Sequence, residues 1–167
     1  MADNYECVTA LQSLPIEHVK PWHRLALNAA GFEFEEGSEG VYMYAPAECG
    51  TRGIDIDIAD VEGFLEDTGL VAYATESFVK DFIALAGDKG QVDWSEVAQL
   101  MLKDMPPEVP HMDFQAAYWC SKSRSGEFGG FSLRITRDAI HAMSTSELFD
   151  QLDAKASRVV TRPGMGR

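Results

Sequence analysis

The segment from residue 33 to residue 67 most constrains what this chain can fold into, because it is both strongly acidic and regularly patterned. It holds eleven carboxylates and one base, Arg52, in a chain of net charge −13. In FEFEEGSEGVYMY and again in GIDIDIAD, acidic and apolar residues alternate, a period typical of β-strands with one buried and one exposed face. The segment therefore predicts amphipathic strands whose carboxylates lie together on one anionic surface.

Charge is unevenly distributed along the whole chain. Residues 33–113 carry four bases and nineteen acids, whereas residues 114–167 carry eight bases and five acids. An acidic region and a weakly basic region can pack side by side and partly neutralise each other, while the excess acid keeps the protein in solution. This interpretation gives the carboxylates no binding role, and it stands beside the functional hypotheses below.

Length and composition indicate one globular domain. The 167 residues are 46% apolar and 25% charged, which is too apolar for an acidic disordered protein and ordinary for a folded one. We predict a single α+β domain over residues 1–157, with one or more small, mainly antiparallel sheets and about five helices packed on them. Residues 158–167 are predicted to form a flexible C-terminal tail.

Cysteine usage and hydropathy favour a reducing, cytoplasmic location. Cys7, Cys49 and Cys120 are widely spaced and include no C-x-x-C pair, which disfavours both a disulfide framework and a structural zinc site. No basic leader with an apolar core is present, and no apolar run reaches the ~20 residues of a membrane span. We therefore expect no membrane partner and no cofactor.

The first third of the chain predicts a strand followed by a helix. The β-favouring residues of NYECVTAL indicate a strand at 4–11. A helical apolar spacing then extends to Ala30, and Pro21 favours a start at that proline, because proline is tolerated in the first turn of a helix. His18 and His23 are five residues apart and do not share a helical face, so we predict surface or capping histidines.

The acidic segment itself predicts a hairpin, a third strand and a short helix. Glycines in EGSEG suit the tight reversal of a hairpin over residues 32–44. The alternation in GIDIDI predicts a strand at 54–58. Asp60 is a suitable N-cap for a helix that Gly69 would end.

Two helices are predicted before the proline-rich run MPPEVP. One extends from 75 to 86 with Thr75 as its N-cap. The next begins at Asp93, and Glu96 three positions later completes a capping box. Adjacent prolines cannot continue a helix, so MPPEVP ends this helical region.

The last third predicts a meander of strands and a terminal helix. Strand-like segments surround the glycine-rich loop RSGEFGG, and AIHAMS is a candidate returning strand. Ser144 and Glu147 predict a capped helix to about residue 156 with Leu148, Phe149 and Leu152 buried.

An enzyme remains an alternative, with Cys120 as its candidate nucleophile. Lys122 and Arg124 would lower the thiol pKa, and His111 or His141 would act as the base. The competing interpretation is a small buried cysteine beside an aromatic residue in a strand. Asp55, Asp57, Asp60 and Glu62 lack the spacing of a calcium-binding loop, so we predict no metal site.

The carboxylates are the candidate partner-binding residues. If the strands at 32–44 and 54–58 are adjacent, alternate outward residues lie about 6–7 Å apart, a spacing like that of charges along a nucleic-acid backbone. Such a surface is expected to enter a basic cleft and to lose affinity as salt rises. The candidate residues are Glu33, Glu35, Glu36, Glu39, Asp55, Asp57, Asp60, Glu62, Glu66 and Asp67.

The resulting hypothesis is an acidic protein-interaction domain, in its most specific form a nucleic-acid mimic. Small acidic proteins that block restriction or CRISPR machinery act in this way, and the comparison rests on charge and size alone. The expected partner is a basic protein surface, such as that of a nucleic-acid-binding protein. Direct binding of nucleic acid is not expected at this net charge, and a homo-oligomer stays open. The alternatives are a plain protein-binding module and a small cytoplasmic enzyme with a site near Cys120.

Overall fold

The computed structural model describes residues 4–46, 54–55, 61–120 and 128–160, and these residues form an α+β fold. Their strands are β1 Asn4–Ala10, β2 Glu33–Gly37, β3 Gly40–Ala45, β4 Ile54–Asp55, β5 Gln91–Val92, β6 His111–Cys120, β7 Phe128–Thr136 and β8 Ile140–Ser144. Their helices are α1 Pro21–Ala29, α2 Val61–Thr68, α3 Ser77–Lys89, α4 Trp94–Lys103 and α5 Thr145–Val160, with 3-10 turns at Ile16–His18 and Leu70–Tyr73. The α+β prediction is confirmed.

Six strands form one antiparallel sheet in the order β2-β3-β1-β6-β7-β8. The hairpin and the meander are both found where the alternation predicts them. The predicted strand at 54–58 is described only over 54–55, because residues 56–60 lie outside the described part. β4 pairs with β5 in a separate two-stranded sheet, so these two residues do not extend the hairpin.

One face of the main sheet is buried beneath helices. Alternate residues of each strand point toward that side, which is why Val8, Phe114 and Ile135 are almost fully buried while their strand neighbours are not. α1 and α4 contact the sheet directly, and α2 and α3 pack against them. Within the described residues, no helix combines the length and the apolarity needed to cross a membrane.

The N-terminus of α4 forms the capping box that its sequence predicts. The Ser95 backbone N–H donates to Asp93 Oδ1 at 2.8 Å, and the Asp93 N–H donates to Glu96 Oε2 at 3.2 Å. Both bonds satisfy backbone donors that a helix start leaves unpaired. α1 likewise begins at Pro21, as predicted.

Removal of this cap gives a modest, local test of the fold. Asp93→Ala is expected to lower the free energy of unfolding by about 1 kcal/mol, measured by urea denaturation. Glu108→Ala, at an exposed loop position, serves as the control with a change within about 0.5 kcal/mol. Equal losses in the two variants would contradict the cap.

The predicted cap of α3 is wrong. α3 begins at Ser77, and its N-cap residue is Glu76, which makes no side-chain capping bond. The preceding 3-10 turn explains the later start, because the Glu76 N–H donates to Tyr73 O at 2.9 Å and thereby continues the turn past Thr75. The backbone hydrogen bonds of this turn therefore determine where α3 begins, and Thr75 does not act as its N-cap.

The terminal helix is capped as predicted but packed differently. The Ser144 N–H donates to Glu147 Oε2 at 2.7 Å, and the Glu147 N–H donates to Ser144 Oγ at 3.2 Å. The predicted burial of Leu148, Phe149 and Leu152 is wrong, since they are 44%, 65% and 48% exposed. α5 contacts β7 and β8 near the face opposite the helix layer, and no second layer among the described residues covers its apolar side. Its extension to Val160 makes residues 158–160 helical, and residues 161–167 lie outside the described part.

Candidate interaction surface

The β2–β3 hairpin presents half of the described carboxylates of the acidic segment. Glu33, Glu35 and Glu39 are exposed. Glu33 and Glu35 alternate along β2 and point to the uncovered face of the sheet, opposite Tyr44 and Tyr42 of β3. Because outward residues of one strand recur every ~6–7 Å, these two carboxylates have the spacing that the sequence predicts.

Tyrosines are the neighbours of these carboxylates on the uncovered face. The Tyr44 hydroxyl donates to Glu33 Oε2 at 3.0 Å, and this bond to a negatively charged acceptor raises the pKa of Tyr44. Tyr42 and Tyr44 stack with ring centroids 5.8 Å apart, and the Tyr42 hydroxyl bonds with Thr9 Oγ1. The hairpin therefore holds its acids beside an ordered aromatic pair.

Glu36 differs from its neighbours because it is already paired. It points to the helix side of the sheet edge, where Arg24 Nη2 donates to Glu36 Oε1 at 2.6 Å. The guanidinium of Arg24 also lies 5.5 Å from the centroid of the Phe34 ring. Glu36 is thus partly neutralised within the molecule, although an exposed pair of this kind contributes only about 0–1 kcal/mol to stability.

α2 carries a second group of carboxylates. Glu62, Glu66 and Asp67 are exposed, whereas Leu65 of the same helix is buried. Glu62 and Glu66 are four residues apart and therefore share a helical face, where like charges destabilise a helix by roughly 0.2–0.5 kcal/mol. α2 and β2 both contact α1, so α1 is the element that connects the two acidic groups.

Three further predicted site residues belong to the segment 54–60. Asp57 and Asp60 lie outside the described residues. Asp55 lies in β4 and pairs with Gln91 of β5. Among the described carboxylates, Glu33 and Glu35 thus lie on the uncovered face, whereas Glu36 and the acids of α2 lie on the helix side, so they do not form one flat strip.

Within the described residues, Cys120 lies in a poor setting for catalysis. It is 4% exposed at the end of β6, which confirms the interpretation of a small buried cysteine, and Lys122 and Arg124 lie outside the described part. No group of three metal-ligating side chains occurs among the described residues.

His111, a candidate base, lies 3.5 Å from Asp113, but Arg134 holds the same carboxylate through two bonds of 2.6 and 2.8 Å. Arg134 thereby lowers the pKa of Asp113, with a smaller contribution from His111.

A buried histidine was missed by the sequence analysis. His23 is fully buried, its Nδ1 accepts from the Lys20 N–H at 3.1 Å, and its Nε2 lies 2.9 Å from Asp104 Oδ2. The capping prediction for His23 is confirmed and the surface prediction is wrong. Its position three residues before Ala26 and four before Leu27, both buried, was the available signal. The pair joins the start of α1 to the end of α4 and lines none of the described cavities.

The uncovered face of the sheet also forms an apolar groove beside α5. Its volume is about 380 Å³. The lining includes Cys7, Thr9, Ala117, Met143 and Leu148, and it contains no Asp, Glu, Lys or Arg among the described residues. Gly130 also lines the groove, and a Cβ at this position would collide with the backbone carbonyl of Ala116 in β6.

Two surfaces therefore compete as the functional site in the described part of the chain. One is the acidic surface of the hairpin and α2, and the other is the apolar groove with the exposed side of α5. Comparison of the chain with protein-family models, with curated proteins and with solved structures gave no match, so both surfaces have to be judged by their own geometry and charge.

Proposed function

We propose that this chain is an acidic protein-interaction domain that occupies a basic cleft of a nucleic-acid-binding protein. The observation that carries the proposal is the exposure of seven predicted carboxylates, here named the acidic ridge: Glu33, Glu35, Glu36, Glu39, Glu62, Glu66 and Asp67. Within the described residues, the only ion pair made by the ridge is that of Glu36 with Arg24. The other six carboxylates make no ion pair with another described residue, and Glu33 accepts only the neutral hydroxyl of Tyr44, so their negative charge can attract a cationic partner.

Electrostatic attraction of this kind acts before contact. Concentrated charge of one sign steers an oppositely charged partner and raises the rate of association, and salt weakens the effect over a Debye length of about 10 Å at 0.1 M. Glu33 and Glu35 also occupy alternate positions of one strand, where a spacing of ~6–7 Å is like that of charges along a nucleic-acid backbone. A cleft that binds DNA or RNA through its phosphates is the complementary surface.

The location of the acidic ridge fits a partner that has a cleft better than a partner that has a flat surface. β2 is an edge strand of the sheet, and α2 lies in the helix layer beside α1. The acids of β2 therefore lie at an edge of the sheet, which a groove can enclose from both sides. Restriction enzymes and CRISPR effector complexes have such grooves, and a cytoplasmic inhibitor of one of them is the specific form of the proposal.

The decisive experiment changes the position of charge at constant net charge. Glu33, Glu35 and Glu39 are replaced by lysine in one variant. Asp81, Glu108 and Asp138, which are exposed elsewhere, are replaced by lysine in the control. Inhibition of DNA cleavage by restriction enzymes and CRISPR effector complexes is measured for the unaltered chain and both variants, between 50 and 300 mM salt.

The hairpin variant is expected to lose at least 100-fold in inhibitory potency, because three attractive contacts become repulsive. The control variant is expected to lose less than tenfold. Inhibition by the unaltered chain should weaken as salt rises. Equal losses in both variants would show that net charge alone acts, and an absence of inhibition by the unaltered chain would exclude the nucleic-acid-mimic form.

A further inference from the structure

The two edges of the main sheet are built differently. β2 carries Glu33, Glu35 and Glu36, and charged side chains on an edge strand discourage pairing with another chain. β8 has the sequence IHAMS, with no carboxylate, lysine or arginine. Antiparallel strands use the backbone groups of alternate residues, so half of those on β8 point away from β7. In the described part of the chain, no strand pairs with that side of β8.

The helix that follows β8 carries an apolar stripe that is exposed in the described part of the chain. Leu148 and Leu152 are four residues apart and Phe149 adjoins Leu148, so these side chains share one side of α5. They are 44%, 48% and 65% exposed, and Met143 of β8 is 42% exposed. Met143 and Leu148 line the same groove. The four side chains thus form one apolar patch next to an unpaired strand edge.

We propose that a second copy of this chain covers this surface, through antiparallel pairing of β8 with β8 of the second copy. A strand paired antiparallel with its own copy has two-fold symmetry, so the same residues serve both sides and the assembly closes at two subunits. The two main sheets become one continuous sheet. The exposed stripes of the two α5 helices lie at the junction and are covered there.

Charge favours this edge for self-association. The chain carries −13, so contact between two copies through the acidic ridge would bring like charges together and cost several kcal/mol. Pairing centred on Ala142 instead sets His141 of one copy beside Met143 of the other, and Ile140 beside Ser144. No pair of like charges meets along the strands.

The patch provides about half of the area that a stable dimer requires. A large apolar side chain presents on the order of 150–250 Å², so Met143, Leu148, Phe149 and Leu152 at their observed exposures would remove about 400 Å² from water per copy. A stable interface buries roughly 800 Å² per partner. The four side chains supply about half of this area, and the backbone of β8 and the groove supply the rest.

The test measures association of the full chain by sedimentation equilibrium. The unaltered protein is expected at about twice the 18.4 kDa of one chain. Phe149→Glu, at a site exposed in the single chain, and Ala142→Lys, at the centre of the strand pair, are each expected to weaken dimerisation at least tenfold. Val71→Glu is the matched control, because Val71 is 51% exposed in the 3-10 turn after α2, away from β8.

Circular dichroism of each variant checks that the fold is retained. A monomer at about 100 μM, whether α5 closes over its own groove or another protein fills it, would overturn the proposal. So would a Phe149→Glu variant that remains as dimeric as the Val71→Glu control. Dissociation by Phe149→Glu together with an unaffected Ala142→Lys dimer would overturn pairing through β8.

Discussion

Replacement of His23 by alanine is expected to lower the free energy of unfolding by about 3–4 kcal/mol. His23 is fully buried and contacts Phe78 edge to face, with ring centroids 4.8 Å apart. The variant loses this packing and also the bonds to the Lys20 N–H and Asp104. A cavity of this size in a core costs several kcal/mol, and each buried bond left unmade adds about 1–3 kcal/mol.

The same residue is expected to make stability depend on pH. Burial lowers the pKa of His23 below its usual 6.5, and the hydrogen bond and charge of Asp104 offset only part of the change. Below pH 6.5 His23 therefore binds a proton more readily in the unfolded chain than in the folded chain. The free energy of unfolding consequently falls as pH falls from that value. One titrating group contributes at most about 1.4 kcal/mol per pH unit to this slope.

Urea denaturation between pH 5 and pH 8 measures both effects. His23→Ala should be less stable throughout and should lose most of the slope below pH 6.5. His18→Ala, which leaves the backbone of the preceding turn intact, is the control and should retain the slope. A His23→Ala variant with the same slope as the unaltered chain would show that other groups cause the pH dependence.

The contrast between α4 and His23 explains what the sequence could reveal. The capping box of α4 involves residues within three positions of each other, so local chemistry is sufficient to predict it. The partner of His23 is Asp104, 81 positions away. Only the packing of α1 against α4 brings the two together, and the hydrogen bond then allows a polar ring to remain in the core.

The candidate site likewise combines features that the local sequence predicts with features that depend on distant partners. Alternation along β2 is local, and it correctly predicted that Glu33 and Glu35 point into water. β4 pairs with β5, which is more than 30 residues away in the sequence. The pattern of two residues does not specify which strand they pair with. The exposed stripe of α5 is a third case, since an amphipathic pattern shows that a helix has an apolar side but not what covers it.

The hairpin that carries the acids depends on one glycine. Gly40 has φ of +124°, a region essentially closed to residues with a side chain. A Cβ at this position would also collide with the backbone carbonyl of Leu14. That carbonyl accepts from the Val41 N–H at 2.8 Å, and the Leu14 N–H donates to Val41 O at 2.8 Å, so the hairpin cannot shift without loss of both bonds.

Gly40→Ala is therefore expected to lower the free energy of unfolding by about 3–5 kcal/mol, the sum of backbone strain and a collision that cannot relax. Gly37→Ala is the matched control, because Gly37 has no positive φ and its nearest neighbour would be 3.9 Å away; a change within about 0.5 kcal/mol is expected. Urea denaturation measures both. Equal stability of the two variants would contradict the constraint at Gly40. Neither substitution alters the net charge. A Gly40→Ala protein that is still folded at low temperature but inhibits at least tenfold less would therefore also show that the acidic ridge acts through the arrangement of its carboxylates.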